Sequence, residues 1–500
     1  MQANGDIQNQ TQVIVIGGSI AGLLAAQTLS RYFHQVTIIE RDHLPKQPEF
    51  RHGVPQSHHL HALLKQGQNI LEEIFPGFKA ELAAAGAPLV DVIGDFQWFG
   101  WRGLHPQFVS NFQIYLCSRD LVEHLIRCRL EANPQVQFVQ GMVTGLLADS
   151  QQNVTGVKLR ILKGKEHGTT NETEQSANLV VDASGRNSQI PKWLTAMGYA
   201  PPEETKINSF LGYASRWYEY TESLQPGMKG AMIVSQAPDR KRGAVWFTVE
   251  GNRLVLTLAG IAKDYPPTDE AGFLEFAKSL RSQQLDSTGA SRYLDDFIAD
   301  AKPISPIYGY QNTENCRRHY EKLSHFPNGL IVLGDAFCCF NPVYGQGMTV
   351  AALEAVTLDR CLQQHLAKGG NASYLPHFSH TLHRKLSKTV DVPWMMATGE
   401  DFRWQSTEGG KQNFIDRIMQ YYTDQIILAG AENPKMHQLF IEVFHLTKPP
   451  TAFLHPHVVM IVVRRWLRNT LSHKFISSRS LSSPKQLLTQ ALALSRPKDR

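Results

Sequence analysis

The chain has 500 residues, 42% of them apolar and 19% charged, with a formal net charge of +5. That length exceeds one minimal core and that balance is ordinary for a globular protein, so bulk disorder is excluded and two or more packed layers or domains are expected. The charge is uneven: from Thr451 to Arg500 nine Lys or Arg face a single acid, Asp499, leaving a net −3 on the first 450 residues. A nearly neutral body argues against nucleic-acid binding by the main domain.

The opening "MQANGDIQNQTQ" lacks a basic segment followed by an apolar one, so it does not read as a signal peptide. No apolar run approaches the roughly 20 residues needed to cross a bilayer, and a cytoplasmic location is expected. The six cysteines form no CxxC pair and no regular framework, which suits free buried thiols in a reducing compartment.

In chain order, "QVIVIGGSIAGLLAAQTLSRYFHQVTIIERD" reads as a β-branched strand, a glycine turn, a helix of alanines and leucines, and a second strand ending at Glu40. Such a βαβ unit predicts a parallel sheet. Its turn, Gly17-Gly18-Ser19-Ile20-Ala21-Gly22, is a GxGxxG pattern with serine at the middle glycine. Glycine lets the backbone approach a pyrophosphate, and the helix N-terminus adds unpaired N–H groups and a favourable dipole. Glu40, with Arg41 after it, stands at about the 20-residue spacing expected of a ribose-binding carboxylate. The pattern assigns Gly17, Ser19, Ile20, Ala21, Gly22, Glu40 and Arg41 to a dinucleotide site.

"RHGVPQSHHLHALL" then sets His58, His59 and His61 together. In a helix only His58 and His61 would share a face, and no nearby Cys or well-placed carboxylate completes a metal set, so no metal is expected. The segment continues as "LHALLKQGQNILEEIFPG", helical by spacing and stopped at Pro76-Gly77. A tryptophan-rich patch, "DFQWFGWRG", follows. A helix beginning near Ser118 leads into two strand-like runs, "QVQFVQGMVTGLLA" and "VTGVKLRIL". The polar stretch "KGKEHGTTNETEQ" reads as a hairpin loop, and "ANLVVDASGRNS" returns to the sheet.

From about Asn208 to Pro306 the period changes to alternating segments, an antiparallel module with Glu250-Gly251-Asn252 between two β-rich arms. The parallel pattern resumes in "GLIVLGDAFCCFNPVYGQGMTVAALEAVTL". There Gly334-Asp335 ends a strand, and Asn341 to Met348 opens a helix. An aspartate at a strand end can hold a sugar-like hydroxyl, and glycines expose N–H groups at a helix start, so this is a second contact with the same cofactor. From about Gly370 the chain is helical and Pro-punctuated. In "HVVMIVVRRWLRNTLSHKF" an apolar run meets Arg464, Arg465 and Arg468. It fits a helix packed on the body with its basic face in water, or one lying on an anionic membrane surface.

The expected fold is α/β, a Rossmann-like dinucleotide-binding domain with an inserted antiparallel β-sheet domain and a helical C-terminal region. The boundaries read as 10–205 with a substrate-side segment near 85–112, then 206–320, 321–368 and 369–500.

On these motifs the chain resembles the flavoprotein monooxygenases of the class that includes aromatic hydroxylases and squalene epoxidase, from about Val13 to Leu366. "GDAFCCFNPVYGQGMTVAALEA" is the most specific stretch. The combination of "GVPQSHHLHALL", "DASGRNS" and "NPVYGQGM" is similar to a branch containing polyether-type epoxidases and many bacterial FAD-dependent oxidoreductases. The resemblance implies FAD as cofactor, with Gly17, Ser19 and Gly22 flanking the pyrophosphate and Glu40 on the adenosine ribose. Arg51 and Arg119 would reach the phosphate or ribose region, and Val143 the adenine through its backbone. Gly334 and Asp335 would hold the ribityl chain. Along Pro342 to Met348, with Gly345 at the turn, Gln346, Gly347 and Met348 would present N–H groups to the flavin pyrimidine edge. His59 and His61 match histidines common in the branch, tying their segment to the cofactor loop.

The implied reaction delivers one oxygen atom from O2, through a flavin C4a-hydroperoxide, to an apolar, aromatic or alkene substrate by epoxidation or hydroxylation. No catalytic acid or base is obligatory for it, and none is assigned. The family's middle Asp-Gly motif departs here to Ser184-Gly185, and there is one glycine-rich nucleotide motif only. NAD(P)H would therefore visit transiently as reductant, or a separate flavin reductase would act as partner. Trp98, Phe99, Trp101, Tyr213, Trp217, Trp246 and Phe247 offer aromatic material for a substrate wall, although core packing accounts for each of them singly. A flavin reductase of prenyl chains, whose family also uses "DASGR"-like motifs, and a non-catalytic flavin-binding protein are the competing readings. Halogenation is weaker, because a WxWxIP motif is absent.

Overall fold

Four of the five residues of the strand Gln12–Ile16 are Val or Ile, the composition of a strand covered on both faces. It lies between Leu179–Asp182 and Gln35–Glu40, with Leu330–Val332 and Val136–Ala148 outside them, and all these pairings are parallel. Helix α1 (Ile20–Leu29) leaves the first strand and is buried nearly all round, because the sheet covers one side and a later helix the other. The computed structural model describes residues 11–472 apart from 101–102, 162–171, 221–228, 284–293, 295–297, 299–300 and 373. Trp101 and the basic tail beyond 472 lie outside the described residues.

Two sequence expectations change in this half. The parallel sheet is extended by an antiparallel ribbon, Val136–Ala148 to Val154–Ile161 to Glu172–Ser176. Its last strand falls in the stretch read as loop. An edge strand that is largely in water needs no apolar alternation, so polarity concealed it. The histidine segment is not helical either. A short 3-10 turn covers Pro55–His58, the chain runs extended to Leu64, and helix α2 begins only at Lys65, ending at Ile74. Helix α3 (Arg119–Glu131) starts where the sequence placed it, with the Ser118 hydroxyl accepting from the Leu121 N–H at 3.1 Å.

The second sheet has seven strands in the order Tyr308–Tyr310, Gly212–Glu219, Arg253–Gly260, Arg242–Val249, Gly230–Ile233, Phe96–Gly100 and Gly103–Leu104. All its pairings are antiparallel except that of Gly230–Ile233 with Phe96–Gly100. The hairpin at Gly251-Asn252 turns with both residues at positive φ, 70° and 51°. Helix α4 (Glu270–Gln283), which the period did not suggest, covers one face with Phe273, Phe276 and Leu280. Where the chain enters and leaves this module, Glu204–Ile207 and Asn315–Arg318 pair antiparallel, so the insertion closes on itself.

Helix α5 (Gly347–Ala367) packs on α1 and α2 and returns the chain to the first core. Helix α6 (Phe378–Asp401) follows, with Pro393 inside it. Helices α7 (Phe414–Gly430), α8 (Pro434–Phe444) and α9 (Pro456–Ser472) share a separate apolar cluster around Ile426, Met436 and Val462. Trp98 meets Phe440 and Phe444 edge-on at 5.6 and 5.8 Å, so this part of the expected substrate wall instead docks α8.

Candidate functional site

The glycine turn between Gln12–Ile16 and α1 leaves no room for side chains. Gly17 has φ 103°, and a Cβ there would lie 2.5 Å from the Ala183 carbonyl oxygen. A Cβ on Gly22 would overlap the Gly17 carbonyl. Ser19 occupies the N-cap of α1 without capping it, so the first N–H groups of the helix stay open at the end of the parallel sheet.

Beside that turn lies a buried network of opposite charges. The Glu40 Oε2 accepts the Gly18 N–H at 2.8 Å, and Oε1 accepts the Asp42 N–H at 3.0 Å. Arg51 donates to Glu123 Oε1 at 2.6 Å, to Asp42 Oδ2 at 3.1 Å and to the Gly18 carbonyl at 3.3 Å. Arg119 donates to Glu123 Oε2 at 3.0 Å and to the Ser19 hydroxyl at 2.6 Å, and that hydroxyl donates in turn to Glu123. Burial alone would raise the Glu123 carboxyl, but Arg119 and Arg51 hold it below the usual carboxylate range. Glu123 and Asp42 were not singled out from the sequence. The four-residue spacing of Arg119 and Glu123 on one helix face was the available signal.

The second glycine turn meets the first across α1. A Cβ on Gly334, at φ 61°, would lie 2.7 Å from the Ala21 Cβ, and the Gly334 N–H donates to Glu354 Oε2 at 2.6 Å. Asp335 is exposed in the opening between them. Farther along, Pro342–Tyr344 makes a tight turn, Gly345 takes φ 63°, and Gln346 caps α5 with its side chain buried. Gly347 is exposed with no heavy atom near its added Cβ, while Met348 points into the first core. The structure thus gathers Gly17, Ser19, Ile20, Ala21, Gly22, Glu40, Arg51, Arg119, Gly334 and Asp335 at one end of the parallel sheet, with Gly345 beside Ala62. Arg41 is exposed beyond Glu40. Val143 is half-buried at a register shift in the strand that pairs with Glu40 through Gln140.

Side-chain-free turns, an uncapped helix N-terminus and two guanidiniums with donors to spare fit the diphosphate and sugar groups of a dinucleotide. Ser184, standing where an aspartate was expected, donates its N–H to Asp182 Oδ1 at 3.1 Å. The Ser188 hydroxyl donates to Oδ2 at 2.5 Å, so the turn is braced by the buried Asp182.

The three histidines separate into three settings. His58 stacks on Tyr308 at 4.0 Å, and its carbonyl accepts the Trp217 indole N–H at 2.8 Å. The His59 Nδ1 meets the Ser215 hydroxyl at 2.9 Å, and that hydroxyl meets Thr257 Oγ1 at 2.6 Å. His61 donates from Nδ1 to the His59 carbonyl at 3.0 Å. No cluster of metal-ligating side chains occurs among the described residues. His58 and His59 instead line a cleft of about 520 Å³ with Thr268, Tyr308, Tyr310 and Gln311, and no Asp, Glu, Lys or Arg is among its lining residues. Burial raises the Tyr310 hydroxyl, with the charges of Arg186 and Asp335 also acting on it. Of the aromatic residues read as wall, Tyr213 stacks on Tyr310 at 5.4 Å, whereas Phe99 and Trp246 belong to the core under α4 and Phe247 to a neighbouring cluster.

A family model described as FAD binding domain matches residues 10–210. Protein Rv3254 of Mycobacterium tuberculosis (strain ATCC 25618 / H37Rv) is 31% identical over 468 residues, covering 91% of this chain and 94% of that protein. Kynurenine 3-monooxygenase of Salinispora arenicola (strain CNS-205) is 24% identical over 376 residues, covering 72% of this chain and 74% of the relative. Among solved structures, the flavin-dependent brominase Bmp2 superposes with a TM-score of 0.61 at 16% identity, over 92% of this chain and 100% of the brominase. That last likeness is one of fold. The FAD-binding segment and the kynurenine 3-monooxygenase relatives identify an FAD-dependent monooxygenase family, to which the chain belongs, and the 31% identity to Protein Rv3254 extends over nine-tenths of the chain.

Proposed function

We propose that this FAD-dependent oxidoreductase inserts one oxygen atom from O2 into an apolar aromatic or alkene substrate, by hydroxylation or epoxidation, with NAD(P)H as reductant. The observation that carries the reading is an aromatic-walled cleft with no charged side chain among its lining residues. Bound FAD supplies the oxygen chemistry, so the protein's tasks are to bind, orient and exclude water. Arg51, Arg119 and the α1 N-terminus would hold the diphosphate end, and Asp335 the sugar-like chain. The first N–H groups of α5, at Gly347 and Met348, would face the ring edge and favour negative charge there. Tyr308, Tyr310 and His58 present ring faces to an apolar substrate and displace water from it.

The test is turnover of FAD-loaded protein with NADH or NADPH, candidate alkenes and phenols, and isotopically labelled dioxygen. Label in a product one oxygen atom heavier than the substrate is expected. Alkene saturation without O2 uptake would instead identify a prenyl-type reductase, and flavin that binds without being reduced would identify a non-catalytic protein.

For the C-terminal helices we propose contact with an anionic membrane surface. Support comes from the exposed stripe Met460, Val463 and Leu467 on α9, flanked by exposed Arg464 and Arg468, in a helix without acids. None of the described helices is long and apolar enough to cross a membrane.

A further inference from the structure

Two cysteines separated in sequence by the strand Leu330–Val332 and the Gly-Asp turn meet across a pair of strands. Cys338–Cys339 lies antiparallel to Asn315–Arg318, and Cys316 stands directly opposite Cys339. The Arg318 N–H donates to the Phe337 carbonyl at 3.0 Å, so those two residues form a hydrogen-bonded pair, and alternation makes Cys316 and Cys339 another. Such partners have Cα atoms about 5.5 Å apart, inside the span of about 4.4–6.8 Å that a disulfide bridges. Both thiols are buried and free. Cys338 points the other way, into the first core, opposite Arg317.

The strands that carry the pair hold two turns of the cofactor site. Arg318 donates to the carbonyl oxygens of Asp335 at 3.3 Å and Ala336 at 2.9 Å, which fixes the Gly-Asp turn. Asn315 Oδ1 takes the Asn341 N–H at 2.7 Å, which fixes the turn into α5. The two sulfurs are not equivalent. The Cys339 thiol donates to Cys316, and this bond, with Arg318 and Lys206, holds the Cys316 thiol below its ordinary range against burial and Glu204. The same bond, with burial, pushes Cys339 well up, so Cys316 is the thiolate of the pair and Cys339 keeps its proton.

We infer that Cys316 and Cys339 form a reversible disulfide, closed by hydrogen peroxide, that locks the Gly-Asp turn against the turn into α5 and slows the loss of FAD. Reduced flavin and O2 give hydrogen peroxide when no oxygen atom reaches a substrate, so the source of the oxidant rests on the monooxygenase reading, whereas the pair does not. The Cys316 thiolate attacks one peroxide oxygen, breaking the O–O bond and leaving a sulfenic acid and hydroxide. The Cys339 sulfur then attacks the sulfenic sulfur, the S–S bond forms, and the hydroxyl leaves as water with the Cys339 proton. Hydroxide takes up the proton that Cys316 gave away, so two thiols are oxidised by two electrons and one peroxide becomes two waters. A dithiol reverses the step by exchange. FAD leaves by loosening of its turns, and a cross-link between the strands that hold them suppresses that local opening.

The experiment treats FAD-loaded protein with hydrogen peroxide, blocks the remaining thiols and maps bridges by mass spectrometry of a non-reducing digest. A peptide pair joining Cys316 to Cys339 is expected, with two of the six thiols lost and both regained in dithiothreitol. Release of FAD on dilution, followed by flavin fluorescence, should be at least about threefold slower in the bridged protein and return to its first rate on reduction. Cys339→Ser should prevent the bridge, make FAD release indifferent to peroxide, and leave Cys316 as a sulfenic acid that dimedone captures. In Cys316→Ser dimedone should not capture Cys339. Alanine replaces serine at either position if the serine variant does not retain flavin. Absence of the Cys316–Cys339 peptide pair, a bridge from Cys338 to Cys339 in its place, or unchanged FAD release from the bridged protein would each overturn the inference. Untreated protein given NAD(P)H and O2 reports on the oxidant separately. Failure of the flavin to bleach and recover there sinks the monooxygenase reading and leaves the bridge made by added peroxide standing, whereas bleaching and recovery without any bridge sink the inference itself.

Discussion

Asn341 and Asp401 are 60 residues apart and joined by a hydrogen bond of 3.2 Å from the Asn341 amide to Asp401 Oδ1. The same buried carboxylate accepts from Ser209 at 2.9 Å, from Asn315 at 2.6 Å and from the Tyr344 hydroxyl at 3.4 Å. Asp401 ends α6, whereas Asn341 and Tyr344 belong to the turn that leads into α5. One acceptor thus fastens the turn into α5 to both the inserted module and α6.

Removing that acceptor should loosen the turn. Asp401→Ala leaves several buried donors unpaired, at a cost of about 3 kcal/mol. It is expected to lower the melting temperature and to weaken FAD binding at least about tenfold, with Asp401→Asn in between. Thermal melts with and without FAD and a fluorescence titration of the flavin measure both. Unchanged FAD affinity in Asp401→Ala would show that the turn keeps its shape without the carboxylate.

Glu354, fully enclosed behind the Gly-Asp turn, makes stability depend on pH. Burial, with the Asp335 charge adding to it, pushes its carboxyl up to about 8, against the pull of the Gly334 N–H. The folded state therefore holds this proton more tightly than the unfolded chain. Its stabilising contribution is complete below the ordinary glutamate value of 4.5 and is lost as pH rises through about 8. Glu354→Gln should remove that part of the pH dependence and gain on the native protein as pH rises. Melting curves across this range check it, and parallel profiles for the two proteins would count against a protonated Glu354.

The charge network at the α1 N-terminus predicts a variant that FAD repairs. Glu123→Gln leaves Arg51 and Arg119 without their shared buried counter-charge, which costs roughly 3–5 kcal/mol when one partner of a buried pair is lost. A bound diphosphate would supply negative charge in its place. The rise in melting temperature on adding FAD should therefore be larger for Glu123→Gln than for the native chain. An equal or smaller rise would mean that the two arginines do not face the cofactor.

Contact of α9 with membranes is open to sedimentation with liposomes of anionic and of neutral composition. The native chain should pellet with the anionic ones, and replacing Met460, Val463 and Leu467 by serine should abolish this while the flavin spectrum persists. Pelleting that survives the triple replacement would assign the contact elsewhere.

The pyrophosphate turn was legible because all its determinants are local. Gly17, Gly22 and Glu40 stand at spacings set by a strand, a turn and a helix, and the structure places them as that spacing requires. Arg51 was reached only through resemblance, because its partner Glu123 is 72 residues away and nothing local announces the pair. The histidine segment was marked as unusual but read with the wrong geometry. Apolar spacing extended α2 backward to Leu60, whereas the structure starts it at Lys65, after the turn at Pro55 and the docking of His59 onto Ser215. Trp98 was left between substrate wall and ordinary packing because aromatic residues suit cores, walls and docking faces alike, and only the arrival of Phe440 and Phe444 decided among them.

Sequence by itself determined the βαβ unit with its glycine turn and the change of period that marks the inserted sheet. Each follows from residues within one or two turns or strands of each other, where backbone geometry sets the spacing. Tertiary structure alone decided which carboxylates neutralise the arginines, that Asp401 anchors the turn into α5, and that His58, His59 and His61 serve three different neighbours. Those outcomes depend on burial and on partners from distant segments, and a hydrogen bond between buried groups is specified by the packing that brings them together.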